Sequence, residues 1–373
     1  AARRLAQRDD REIDEVDEIG MWVRSDLVLE VDEAAESEVH TQRSLSERLA
    51  NAGTLPMFGF PTRVRYLYRT EVDGKSTANE ISDRPLGQAV SLFAPGAQIV
   101  RDGWTYTVNG FSAWRRGAGN KPYGVDPLRS ALSLVRCTMC GASTVADRWQ
   151  TCPVCAGPVR EIKVYQPDGF RTHPDRKDGA IEDRDAATAS RPVLAWLDPG
   201  EPDGRYGALD VWGLEQAKLL TINDNNGRLF PMYSHSDKSV IVPVVGTDPG
   251  SMAKRDEAAI GEVRVTDATL MLVRDAELVT GVVPTDRSVA VPGHAAMLSF
   301  AEALRRGCQA ELDIDPSELV VGIQPRTVDG VRTAAVYVAD TLENGAGYAV
   351  ELGGGRLGDV LERLADEVGQ AWA

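Results

Sequence analysis

Residues 137–155 read CTMCGASTVADRWQTCPVC. Two CxxC pairs, Cys137/Cys140 and Cys152/Cys155, are separated by the stretch from Gly141 to Thr151. Each pair closes a tight turn that aims two thiolates at one point. Two such turns on a short hairpin supply a tetrahedron of sulfurs, the coordination Zn²⁺ favours. Gly141 follows the first pair and Ala156-Gly157 the second, and these small residues let backbone amides turn toward the sulfurs. Pro153 stiffens the second turn. An all-cysteine set is saturated and leaves no position open for water, so the expected cofactor is structural Zn²⁺ rather than a catalytic ion. Such an ion holds a small subdomain with little core of its own. Two disulfides or a redox CxxC are the competing readings. No secretory signal precedes the cysteines, and no βαβ pattern accompanies them. Cys308 lies on the apolar side of an expected helix with Met297, Ala301, Leu304 and Leu312, and reads as a buried structural thiol.

Around this site stands a chain of 373 residues, long enough for two or three domains, with ordinary globular composition: 43% hydrophobic and 26% charged. No apolar run has membrane-spanning length, and the expected location is the cytoplasm. The formal net charge of −15 argues against coating nucleic acid through bulk charge, but it permits a local basic groove. No repeat period is visible.

The expected organisation is an acidic helical linker over 1–53, a β-rich basic and aromatic segment over 54–136, the ribbon over 137–157, a β-rich body over 158–290, and an α/β portion over 291–373. Within the linker, Asp32-Glu33-Ala34-Ala35 resembles a helicase DEAD box only by chance in an acidic run. Thr41–Asn51 reads as a short amphipathic helix. Residues 64–69 alternate, with Val64, Tyr66 and Tyr68 on one face and Arg63, Arg65 and Arg69 on the other. Such a strand could grip phosphate, although an edge strand with a solvated basic face explains the same pattern. Between 101 and 136 six Lys/Arg stand against two acids, with Trp104, Tyr106, Trp114, Arg115, Arg116 and Lys121 among them. That stretch reverses the sign of the whole chain. Residues 81–110 read as short strands and turns, and 166–172 as a turn. Residues 171–191 read as a mobile loop, and Asp224-Asn-Asn-Gly227 as a strong turn. Two strands joined at Val328-Asp329-Gly330 follow a helix of roughly 295–311. A stripe of Leu357, Val360, Leu361, Leu364, Val368 and Trp372 predicts a final helix.

Several stretches in a shared order resemble the helicase-associated MrfA zinc-binding-domain family of bacterial DEAD/DEAH-box helicases, related to the DrmA/DrmB components of the DISARM phage-defence system. They are LPMFGFPTRVRYLY (55–68), FAPGAQIVRDG (93–103), PDGF (167–170), INDNNGRLF (222–230) and DTLENGAGYA (340–349). The resemblance covers most of the chain from Thr54 onward. It implies an accessory module beside two RecA-like motor domains, serving DNA repair or antiviral defence. No GxxxxGK[ST] loop is present, so no motor is expected within these residues. Family members commonly carry a cysteine cluster beyond the GAGY helix. The chain ends at Ala373 before one, and those ligands are assigned to no residue here.

Asp340, with Glu343 and Asn344 near a glycine turn, could hold phosphate or a metal, but tight strand–turn–helix packing explains the glycines equally well. Gly353-Gly354-Gly355 reads as a joint. His40, His173, His235 and His294 have no local partner at triad or ligand spacing. The expected fold is therefore α+β: a strand-rich, mostly antiparallel body with an inserted four-cysteine zinc ribbon and a C-terminal helix–hairpin–helix portion. The expected function is a non-catalytic accessory module of an ATP-dependent superfamily 2 helicase, whose motor lies in cis or in trans. It would position single-stranded DNA through Arg63, Arg65, Arg115, Arg116 and Lys121, with Trp104, Tyr106 or Trp114 stacking on bases. The alternative is a scaffold that docks a helicase partner without touching DNA.

Overall fold

The computed structural model describes residues 27–36, 49, 64–70, 76–116, 122–145, 148–175, 177–178, 190–244, 248–274, 292–328 and 330–371. The chain divides into two units, Ala1–Pro61 and Thr62–Ala373. In the first, α1 (Leu27–Glu36) carries Asp32 and Glu33 on its exposed side. The DEAD-like tetrapeptide is thus helical, not the end of a motor strand. The expected helix over 41–51 lies outside the described residues except for Leu49.

The second unit is built on one long strand, β17 (Lys254–Val273). Its start pairs with β15 (Phe230–Ser234), its middle runs parallel to β9 (Val159–Tyr165), and its last two-thirds pairs antiparallel with β14 (Leu209–Asn223). Its far end also pairs with β19 (Val331–Asp340). A strand buried on both sides must be apolar where neighbours cross, and Ala258, Ala259, Ile260, Ala268, Leu270 and Met271 are buried here. At Gly261 a Cβ would stand 2.6 Å from Ile222 Cδ1 and 2.9 Å from Val164 Cγ1, so glycine permits the close approach of β9 and β14. β14 runs unbroken from Leu209 to Asn223, with a bulge between Leu214 and Ala217 at left-handed Gln216 (φ 55°).

β1 (Val64–Thr70) pairs antiparallel with β2 (Ser76–Pro85). Register shifts after Leu67 and after Tyr68 spoil the strict alternation, so Leu67 and Tyr68 are both buried. A helix that sequence reading missed, α2 (Leu86–Leu92), follows Pro85 and buries Leu86, Ala89 and Val90. The next hairpin, β3 (Gln98–Arg101) with β4 (Trp104–Phe111), turns at Asp102 (φ 52°) and Gly103 (φ 77°), as expected of a tight two-residue connection. The PDGF segment departs from its reading as a turn. Gly169–Thr172 is β10, wholly buried, parallel to β1 and antiparallel to β4. A four-residue run containing Arg171 carries no apolar alternation. Its strand state comes from partners more than fifty residues away.

Two further strands, β5 (Ala113–Arg116) and β6 (Pro122–Val125), form a separate hairpin. Then come β7 (Leu132–Cys137), β8 (Ser143–Thr144) and, after β10, the short β11 (Lys177–Asp178), β12 (Val193–Leu194), β13 (Gly204–Tyr206) and β16 (Val240–Ile241). The C-terminal portion is the expected helix–hairpin–helix. α3 (Pro292–Leu312) precedes β18 (Leu319–Val328) and β19, and α4 (Tyr348–Glu351) and α5 (Leu357–Ala371) follow. Cys308 is fully buried with Leu304, Leu357 and Val360, and burial pushes its thiol up to about 12, which makes it an inert core residue. A Cβ at Gly307 would stand 2.8 Å from Val360 Cγ1, so the two long helices approach closely there. Among the described residues no helix is long and apolar enough to cross a membrane.

Candidate metal centre and basic hairpin

The ribbon grows from β7, whose last residue is the first cysteine, and returns through β9, which pairs with β7 from Leu132↔Val164 to Cys137↔Val159. Its two turns match bond for bond. Cys137 N–H donates to Ala142 O at 2.8 Å, and Cys152 N–H donates to Gly157 O at 3.0 Å. Gly141 N–H donates back to Cys137 O, and Ala156 N–H to Cys152 O. The equivalent residues Gly141 (φ 79°) and Ala156 (φ 53°) are both left-handed, which is easy for the glycine and strained for the alanine.

The four sulfurs lie within 4.8 Å of one another. Cys137 and Cys155 Sγ are 3.5 Å apart, and Cys140 and Cys152 Sγ 3.6 Å. A disulfide needs about 2.05 Å, so none is formed here. Zn–S bonds of about 2.3 Å in a tetrahedron place sulfurs about 3.8 Å apart, and the observed separations fit. Amides turn toward the sulfurs as thiolate ligands require: Met139 N–H (3.4 Å) and Cys140 N–H (3.5 Å) donate to Cys137 Sγ, and Val154 N–H (3.4 Å) to Cys152 Sγ. Burial pushes the Cys137 thiol up, but the Cys140 and Met139 amides outweigh it and bring it down to about 7. Burial drives the Cys140 and Cys152 thiols up instead. Four cysteine sulfurs this close could hold a metal ion, and the donor set suits a soft-to-borderline ion such as zinc.

The ribbon is fixed to the body at two flanks. Arg136, beside Cys137, donates from Nη1 to Asp224 Oδ2 at 2.7 Å, and Arg160 Nη1 donates to Gly227 O at 3.4 Å. The DNNG turn therefore braces the ribbon, with Asn225, Asn226 and Gly227 all left-handed. On the other side Trp149 meets Trp196 edge to face at 5.4 Å, the Arg326 guanidinium lies over the Trp196 ring at 5.3 Å, and Thr327 Oγ1 donates to Val154 O. Sequence reading singled out neither Trp196 nor Arg326. They come together only in the fold, and no local spacing announces them.

Among the described residues, the expected nucleic-acid positions are spread over several elements. Arg63 and Lys121 lie outside the described residues. Arg65 is half-buried and donates from Nε to Pro167 O at 2.8 Å. Tyr106 is 6% exposed in the core beside Val108 and Phe111, and Trp104 packs against the same cluster. The β5–β6 hairpin carries the rest. Arg115 is exposed and directly opposite Tyr123, itself 46% exposed, while Trp114 is half-buried and Arg116 ends the strand. A Cβ at Gly124 would stand 2.6 Å from Asp237 O, so the hairpin sits close on the loop before β16.

Asp340 is fully buried at the end of β19. Its Oδ2 accepts from Ala346 N–H at 2.6 Å and its Oδ1 from Ala349 N–H at 2.9 Å. Burial pushes its carboxyl up against the pull of these amides, and the glycine-rich turn wraps it as a helix cap.

No protein-family model matches the chain, and no curated protein matches it. Among solved structures it is similar to the crystal structure of the DUF1998 helicase MrfA bound to DNA. The TM-score is 0.41 and the identity 10%, over 84% of this chain and 30% of that one.

Proposed function

We propose that this chain is a zinc-stapled accessory module that engages single-stranded DNA beside a helicase motor, in cis or in trans, in repair or anti-phage defence in the cytoplasm. The observation that carries the DNA contact is the β5–β6 hairpin, which stands apart from the main sheet network and presents Arg115 across from exposed Tyr123. On a chain of net charge −15, a local cation beside an aromatic ring is where a strand gains both phosphate attraction and stacking. Trp114 and Arg116 flank Arg115 along β5. The ribbon supplies shape and no chemistry: its four sulfurs saturate the ion.

Elemental analysis of the full chain should find about one zinc per polypeptide. Fluorescence anisotropy with an oligo-dT strand should give an affinity that falls with salt by about 0.7 log units per phosphate neutralised, for each tenfold rise in salt. Arg115→Glu with Arg116→Glu should weaken it at least tenfold. Unchanged affinity in the double variant would sink the hairpin assignment. Recovery of a stable protein partner, with no strand binding at low salt, would favour the scaffold reading.

A further inference from the structure

Arg326 is 8% exposed, yet no carboxylate among the described residues lies within ion-pair distance of it. Its Nη2 donates to Gln324 Oε1, whose own amide is committed to the Leu194 and Ala195 carbonyls. Among the described residues its buried Nε has no acceptor. The same holds for two neighbours: the indole Nε1 of Trp196, over which the guanidinium lies, and the hydroxyl of Thr333, directly across the β18–β19 ladder from Arg326. Burial pulls the guanidinium down to about 10, and the first charge that offsets this, Asp198, spends a carboxylate oxygen on Gly200 N–H at 3.2 Å.

Two of these three groups can only donate, and the third can. Water alone would answer the hydrogen bonds but leave the positive charge, in a seam lined by Trp149, Trp196 and Val154, with only the partial offset of exposed Asp198. A group that answers both needs is an anion with several acceptor oxygens. We infer that the seam between the metal ribbon and the β18–β19 hairpin is a phosphate-binding site, in which one oxyanion is held by Arg326, Trp196 Nε1 and Thr333 Oγ1. A planar guanidinium with a free Nε suits phosphate better than a lysine would, because it offers donors in a fixed fork. The phosphate is either a free ion or one unit of a strand backbone. The inference does not need the hairpin contact proposed above, but it would give that strand a second foothold some distance along the module.

The test uses the full chain with its metal. Melting in inorganic phosphate is compared with chloride at matched ionic strength. At about ten times the dissociation constant, phosphate should raise the Tm by about 2–4 °C. Arg326→Met should abolish the phosphate-specific rise. Thr333→Val removes a hydroxyl that no protein group bonds, so the fold is retained, and phosphate affinity should fall roughly tenfold. Equal melting in the two salts, or a rise that survives in Arg326→Met, would overturn the site. A competing oligo-dT strand that removes the rise identifies a backbone phosphate as the ligand, and a rise that persists identifies the free ion. Loss of strand binding in the β5–β6 variants leaves the phosphate arm unchanged, so the two readings fail separately.

Discussion

Asp340 shows how a residue with the look of a catalyst can be structural. Its position at a strand end before a glycine turn fits either role in the sequence. The structure gives both carboxylate oxygens to amides of the turn and of α4, and leaves the side chain no exposure. Gly345 (φ 76°) and Gly347 (φ 83°) are left-handed so that successive N–H groups face that carboxylate. Asp340→Asn keeps the shape but turns an NH₂ group toward an N–H donor. We expect a loss of about 1–3 kcal/mol in urea unfolding, with zinc content and strand affinity unchanged. Loss of strand affinity at full stability would instead restore a functional role.

At the level of elements, legibility followed sequence distance. The two cysteine turns close within a few residues each, so their spacing was enough, and the sulfurs meet as expected. The β18–β19 hairpin was equally local, marked in the sequence by Val328-Asp329-Gly330. By contrast, α2 was hidden because its apolar residues face strands distant in sequence, β14 and β17, as well as neighbouring β1 and β2. β10 was hidden because Gly169–Thr172 has no pattern of its own, only partners at Tyr66–Tyr68 and Val108–Phe111. The ribbon holds a small cluster of Cys137, Ala142, Cys152 and Val154, too little to stay closed on its own. Chelation should therefore strip hydrogen-exchange protection from the amides of Cys137, Gly141, Cys152 and Ala156, while β14 and β17 keep theirs. Protection that survives complete removal of the metal would show that the surrounding aromatic contacts suffice.

Over the whole molecule, acid stability depends on carboxylates with opposite tendencies. Burial pushes Asp237 up, but hydrogen bonds from Ser239 and His235 and the charge of Arg171 outweigh it and hold it below its ordinary value. Asp256 is likewise lowered, by the Glu257 amide, Tyr165 and Lys163 against its burial. Groups lowered in the folded state stabilise it above their unfolded value near 3.8, and that contribution is lost as pH falls through the folded value. Asp340 and Asp267 are raised by burial, so their contribution runs the other way and fades as pH rises past 3.8. Thermal melting between pH 6 and 3 should show a decline setting in below about pH 4. Asp237→Asn should flatten that decline; an unaltered slope would place the acid sensitivity elsewhere.

The placement of β10 also sets an order of events during synthesis. The β1–β2 and β3–β4 hairpins are complete early, but the slot between β1 and β4 is filled only by β10, about sixty residues after β4 and beyond the four-cysteine ribbon. At roughly 5–20 residues per second, the newborn chain carries two unpaired edges out of the ribosome for about 3–12 seconds. During that interval both edges are open to pairing with another chain, and closure of the cysteine turns, which shortens the tether between β4 and β10, should speed the docking of β10 once it is made.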